Sequence, residues 1–149
     1  MAEFSYRPLR RDEMDVAADQ HRLAGELIPG FDLSLHSAQD TRAFYCETVF
    51  TGGPVWGAFD GDTLVGHMAL KPGWIDHLYV DPAHHGRGIG RALIALAQDA
   101  AADLQLYTYA ANARARRLYE TAGFVVEEHG FDPEHGNRVP NVRYRWRRA

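Results

Sequence analysis

A mixed α/β fold around one sheet is predicted by three features of the chain. The first is the order of its apolar patterns. Segments of period two and segments of period near 3.6 follow one another as β-α-α-β-β-β-α-β-α-β-β. The second is an apolar run that ends in Asp81-Pro82 and passes through a loop with three alternating glycines into an amphipathic helix. The third is Asp60-Gly61-Asp62 between two apolar runs, a hairpin signal.

Each element has its own justification. Phe4 to Leu9 reads as a first strand, and Asp12 as the N-cap of a helix running to about Leu23. Leu27 to Leu35, with Pro29 and Gly30, reads as an irregular loop. A second helix is expected over Ala38 to Phe50, stopped by Gly52-Gly53-Pro54. Val55 to Phe59 and Thr63 to Leu70 are the hairpin strands, and Lys71-Pro72-Gly73 turns the chain into a strand at Trp74 to Val80. The next helix carries Ile89, Leu93, Leu96, Ala97 and Ala100 on one face, a spacing that buries one side. Leu104 to Tyr109 is the following strand. Asn112 caps a helix that ends at Gly123. Phe124 to His129 and Val142 to Trp146 complete the sheet, joined by a polar loop from Gly130 to Asn141. Arg143, Arg145 and Arg147 alternate with Tyr144 and Trp146, the period of a strand with one wet face.

At 149 residues the chain is expected to form one domain with its own core. Its single cysteine, Cys46, excludes a disulfide framework or a cysteine metal cluster. No segment is long or apolar enough to span a bilayer, and the N-terminus has no signal-peptide core, so a cytoplasmic location with no membrane partner is expected. The formal charge of −4 argues against a nucleic-acid partner. His21, His36, His67, His84, His129 and His135 lack the paired spacing of a metal site and read as surface or loop residues; no metal is expected.

The chemistry concentrates in His85-Gly86-Arg87-Gly88-Ile89-Gly90-Arg91. Gly86, Gly88 and Gly90 permit close backbone approach, and the amides at the start of the helix favour an anion. Arg87 and Arg91 add cationic donors. The loop is not a dinucleotide fingerprint, because its spacing is Gly-x-Gly-x-Gly, and it lacks the Gly-Lys-Ser/Thr of a Walker loop. Further on stands Asn112-Ala-Arg-Ala-Arg-Arg-Leu-Tyr119-Glu-Thr-Ala-Gly123-Phe124.

The two stretches, in this order and at this separation, resemble the acyl-CoA loop and the second signature of the GCN5-related N-acetyltransferase (GNAT) superfamily. The resemblance covers most of the chain, with its specific motifs between Trp74 and Phe124. His85 departs from the Gln or Arg usual at its position. The resemblance implies a single mixed, mostly antiparallel sheet with a splayed strand pair that binds acyl-CoA. It implies acetyl-CoA as co-substrate and a homodimer through the C-terminal strand as one mode of assembly. It assigns the loop His85 to Arg91 to the pyrophosphate, and the backbone of Leu78, Tyr79 and Val80 to the pantetheine arm. Asn112 contacts that arm, and Tyr119 lies by the sulfur as the general acid. A neutral phenol suits that task, since it titrates near about pH 10, above a thiol near about 8.5.

The resemblance also implies a general base on the strand Trp74 to Val80. Strict alternation puts Trp74, Asp76 and Leu78 on one face and Ile75, His77 and Tyr79 on the other. Asp76 matches the base position best; a bulge would promote His77. The alternative for both is a structural pair bonded to nearby backbone. Tyr107, at a position where some relatives carry a glutamate base, excludes that arrangement. Leu27, Ile28, Phe31, Leu33, Phe44 and Tyr45 are expected to wall the acceptor site, with negative charge from Asp32, Asp40, Asp132 and Glu134. That mixture favours a small cationic amine as acceptor, a small molecule. Two alternatives stay open: a non-catalytic acyl-CoA sensor or partner-binding module, and acetylation of a protein lysine or N-terminus.

Overall fold

The computed structural model describes residues 3–30, 32–131 and 140–149. Its strands are β1 (Ser5–Pro8), β2 (Val55–Asp60), β3 (Thr63–Lys71), β4 (Trp74–Val80), β5 (Asp103–Tyr109), β6 (Val125–Gly130) and β7 (Asn141–Arg147). Its helices are α1 (Met14–Gly25), α2 (Ala38–Phe44), the single turn α3 (Phe50–Gly52), α4 (Ile89–Ala100) and α5 (Ala113–Thr121). The strands form one sheet in the order β1-β2-β3-β4-β5-β7-β6. Every neighbouring pair is antiparallel except β4 and β5. This is the mixed, mostly antiparallel sheet flanked by helices that the sequence predicted. Among the described residues, no helix is long and apolar enough to cross a membrane.

Two apolar clusters hold the helices to the sheet. Leu93 and Ile94 of α4 and Tyr119 of α5 pack with Met68, Leu106, Phe124, Val142 and Tyr144. Met14, Ala17 and Ala18 of α1 and Val49 pack with Leu9, Val55 and Phe59. Burying a side chain such as Leu93 contributes about 1.5–3 kcal/mol, so each cluster fixes its helix pair. The C-terminal arginines lie on a wet strand face as expected: Arg145 pairs with Asp103 at 2.9 and 2.6 Å, and Arg143 with Glu127 at 2.8 Å.

The structure corrects two helix boundaries. α1 starts at Met14 after a 3₁₀ turn at Arg11–Glu13, and Asp12 does not cap it. Glu13 stands at the N-cap position of α1 without a side-chain cap; its carboxylate instead closes the preceding turn, accepting the Arg10 amide at 2.9 Å and a two-pronged bond from Arg7 at 2.9 and 2.8 Å. The helix after Ser37 is not continuous. Ser37 and Asp40 form a reciprocal capping box. After Phe44, however, the chain winds as a π turn over Tyr45–Val49, closed by the Phe50 amide on the Tyr45 carbonyl. The extra residue in this turn accompanies a fully buried Tyr45.

Candidate active site

The site begins where β4 and β5 part. These parallel strands pair only at Trp74 and Gln105, reinforced by the Gln105 amide on the Gly73 carbonyl at 2.9 Å. Trp74 and Tyr107 stack across that junction with ring centres 5.4 Å apart. Beyond it the strands splay, and a cleft of about 810 Å³ opens between them. Its lining includes His77, Leu78 and Tyr79 of β4, Thr108 and Tyr109 of β5, and Asn112 and Tyr119.

The backbone of β4 has a definite phase. The Asp81 amide bonds to the Val65 carbonyl at 2.9 Å, and β3 pairs His67 with Tyr79 and Gly66 with Val80. In an antiparallel ladder, bonded pairs recur every second residue. Tyr79 and His77 therefore direct their amides and carbonyls to β3, while Leu78 and Val80 direct theirs to the cleft. An extended ligand lying along β4 meets the Leu78 backbone and the Val80 amide, and only the side chain of Tyr79, the Val80 carbonyl being bonded to His85.

At one end of the cleft lies the glycine loop. Gly86 and Gly88 have φ of 78° and 82°, the left-handed region that a side chain disfavours. An added Cβ at either would meet nothing within 4 Å, so these glycines serve backbone conformation and not packing. Gly90 is different: its Cβ would lie 2.8 Å from Leu118, so its smallness lets α4 approach α5. The first intrahelical bond of α4 runs from the Ala92 amide to Gly88. The amides of Ile89, Gly90 and Arg91 thus precede any helical partner and suit an anion. Arg91, Arg114 and Arg117 line this end of the cleft, whereas the Arg87 side chain lies outside the lining. The two α5 arginines escaped the sequence reading because only the fold brings their helix to the loop. His85 turns back on the strand, its Nε2 bonded to the Val80 carbonyl at 3.2 Å. Burial and nearby Arg114 push its pKa down. A neutral His85 whose Nε2–H donates to Val80 anchors the loop to β4, and that bond takes up the nitrogen a phosphate would need.

Tyr119 reaches the cleft from α5. Its ring is buried against Phe124 and Tyr144, and burial raises its pKa. No hydrogen bond holds its hydroxyl among the described residues, so the proton stays on the phenol and is available to the cleft. Asn112 caps α5, its Oδ1 accepting the Ala115 amide at 3.2 Å, while the same side chain lines the cleft.

β4 does not alternate strictly. Its pairing with β3 jumps from Leu70–Ile75 to Ala69–His77, leaving Asp76 as the extra residue of a bulge. Ile75 consequently faces the α4 cluster with Leu78 and Val80, and His77 faces the α1 and α2 side with Tyr79. The expected sharing of a face by Asp76 and Leu78 is overturned by this one inserted residue. Asp76 sits at the rim, 3.2 Å from Lys71 Nζ and 3.6 Å from His77 Nε2. Burial lowers the pKa of His77, Lys71 adds to that, and Asp76 opposes it. Tyr107 is exposed and stacked on Trp74.

The acceptor end is walled by Ala24, Leu27, Ile28 and Pro29 at the end of α1. Phe44 stands 5.9 Å from His77, edge to face. Leu33, Asp32 and Asp40 do not line the cleft, and Phe31, Asp132, Glu134 and His135 lie outside the described residues. His21 and His67 are not surface residues. His67 is fully buried, and His21 packs on Tyr79 with ring centres 4.3 Å apart. Loss of hydration holds both well below the ordinary histidine range, His21 at about 3. A polar residue in the sequence carries no local sign of such burial, which is why the sequence reading missed them.

Comparison with known proteins bears on the family and the fold. The Acetyltransferase (GNAT) family profile matches residues 21–124. A mycothiol acetyltransferase of Beutenbergia cavernae is 41% identical over 99 residues, which cover 58% of this chain and 33% of that protein. A streptothricin acetyltransferase of Escherichia coli is 31% identical over 109 residues, 65% of this chain and 63% of that one. The match thus spans about a third of the first relative's length and under two thirds of the second's. Among solved structures, apo YjaB of Escherichia coli superposes with a TM-score of 0.80 at 24% identity, covering 99% of both chains. The yncA protein of Salmonella typhimurium, solved with acetyl-CoA, superposes with a TM-score of 0.73 at 16% identity, covering 97% of this chain and 94% of that one. These likenesses concern the fold.

Proposed function

The chain belongs to the acetyltransferase (GNAT) family, and from that premise we propose that it moves an acetyl group from acetyl-CoA to a primary amine of a small molecule. The observation that carries this reading is one cleft with three parts in line. The left-handed glycines and the cationic arginines lie at one end, the open Leu78 backbone and Val80 amide follow, and His77 and Tyr119 line the same cleft. The residues fit acetyl-CoA as substrate. The α4 amides, Arg91, Arg114 and Arg117 offer donors to its phosphates, and the β4 edge offers amides and carbonyls to its amide-bearing arm. Both curated relatives are named for small-molecule acceptors.

His77 is the general base in this reading, with Asp76 the carboxylate beside it. An alkyl ammonium titrates near about 10.4, so the amine must first lose a proton. His77 takes it, and the bare nitrogen attacks the thioester carbonyl. A β4 amide facing the cleft steadies the oxyanion. The C–S bond breaks as the C–N bond forms, and Tyr119 protonates the departing thiolate. The second proton of the reacting nitrogen restores Tyr119 by way of solvent. Fixing both substrates along β4 supplies the orientation advantage.

Two substitutions test the roles. Tyr119→Phe removes the acid and keeps the ring, and is expected to lower kcat by about a hundredfold with acetyl-CoA binding unchanged. His77→Gln is expected to lower kcat similarly and to abolish the acidic limb of the pH–rate profile. Full turnover in Tyr119→Phe at saturating substrates removes Tyr119 from the mechanism.

A further inference from the structure

Beneath His77 lies a buried polar chain that the transfer just described does not use. Gln20 and His21 come from α1, Tyr45 from the π turn and His67 from β3. Gln20 Oε1 lies 2.7 Å from His67 Nδ1, His67 Nε2 lies 2.9 Å from the Tyr45 hydroxyl, and that hydroxyl lies 2.7 Å from His21 Nδ1. The ring of His77 packs on the last two members of this chain, 5.4 Å from His21 and 5.7 Å from Tyr45 between centres.

The direction of every hydrogen bond follows from one end. Gln20 donates its Nε2–H to the Leu64 carbonyl at 3.3 Å, so its Oε1 accepts. His67 therefore carries its proton on Nδ1. Buried and neutral, it presents a bare Nε2, so Tyr45 must donate to it. The Tyr45 oxygen then accepts from His21 Nδ1–H. Gln20 thus fixes the tautomer of His67 directly and that of His21 by way of His67 and Tyr45. Such a network is costly to bury, and an apolar core of equal volume is often more stable. The π turn that houses Tyr45 is a feature that recurs at functional sites.

Resting on the acetyl-transfer reading, we propose that Tyr45 is a positioning residue for His77. It pins the proton of His21, as Gln20 pins that of His67, so that His77, which alone of the three lines the cleft and has Asp76 beside it, is the cluster's one working proton acceptor. The groups that face His77 are Asp76 and Tyr79 of its own strand, Lys71 and His67 of β3, His21 of α1 and Tyr45. Two adjacent imidazolium ions in this buried space would repel. The cluster therefore takes one proton, and geometry gives it to His77.

Imidazole nitrogen shifts of the wild-type protein test this directly. His21 and His67 are expected as neutral Nδ1–H tautomers down to about pH 5, with His77 the first of the three to take up a proton as pH falls. Either buried histidine in the Nε2–H form, or His21 titrating in place of His77, overturns the proposal. Tyr45→Phe, which removes one oxygen, is expected to release the single tautomer of His21. It should also lower kcat about tenfold with the KM for acetyl-CoA unchanged. An unchanged kcat, or equal damage to kcat and KM, overturns it as well. Absence of turnover in the wild type on any amine instead brings down the acetyl-transfer reading, and the tautomer result distinguishes the two failures.

Discussion

Replacing Gly88 by alanine isolates what the glycine loop contributes. Gly88 holds φ 82° and ψ 7° as the N-cap of α4, and an added Cβ has open space around it. Sterics with neighbours therefore cost nothing, and the whole effect is the backbone penalty of a left-handed alanine, about 1–2 kcal/mol. That energy must appear in one of two places. If the loop keeps its shape, the folded state bears it and Tm falls by roughly 2–8 °C. If the loop relaxes, Tm holds and acetyl-CoA binding weakens by up to about thirtyfold, since about 1.4 kcal/mol is a factor of ten. Thermal melting and calorimetric titration with acetyl-CoA read the two quantities on one preparation, and together they should sum to the penalty. Gly88→Asn is the control, because asparagine tolerates this region and should lose less on both scales. Alanine that changes neither quantity, or asparagine as damaging as alanine, refutes the reasoning.

The buried histidines predict an acid-sensitive fold. Unfolded, His21 and His67 take up protons as pH falls through about 6.5; folded, both resist protonation, His21 to about 3. Stability is complete above about pH 6.5 and falls below it, by roughly 2.7 kcal/mol per pH unit for the two together. The urea midpoint should drop between about pH 6.5 and about pH 5, where Glu13, with its folded pKa lowered to about 2, does not yet contribute. A flat midpoint there would contradict the burial. Arg117→Ala should raise the KM for acetyl-CoA several-fold, more so at low salt, and leave the KM for the amine alone; an effect on the amine alone would place the cofactor end of the cleft wrongly.

The parts of the site that were legible in the sequence are those coded locally. The glycine loop, the Asn112 cap and Tyr119 on its helix lie in two short stretches, and each stretch carries its own conformational logic. The splay of β4 from β5 was expected only through the family likeness. The face of His77 depended on one inserted residue, Asp76, which changes the phase of a strand without changing its composition. The relay from Gln20 to His21 was not legible at all. Its members stand at positions 20, 21, 45 and 67, on three elements, and the π turn that accompanies the buried Tyr45 has no compositional mark. Arg114 and Arg117 join the site only through the fold, which sets α5 beside the loop.

The most direct test of the central claim is release of the CoA thiol from acetyl-CoA by the wild-type chain over a panel of amines. The panel holds polyamines, amino acids, aminoglycosides, and peptides with a free lysine or N-terminus. The account predicts turnover on a class of small primary amines, with weaker or no turnover on the peptides. Tight acetyl-CoA binding with no thiol released in any mixture would contradict it and leave a non-catalytic acyl-CoA binder. Turnover confined to the peptides would move the acceptor from small molecules to proteins.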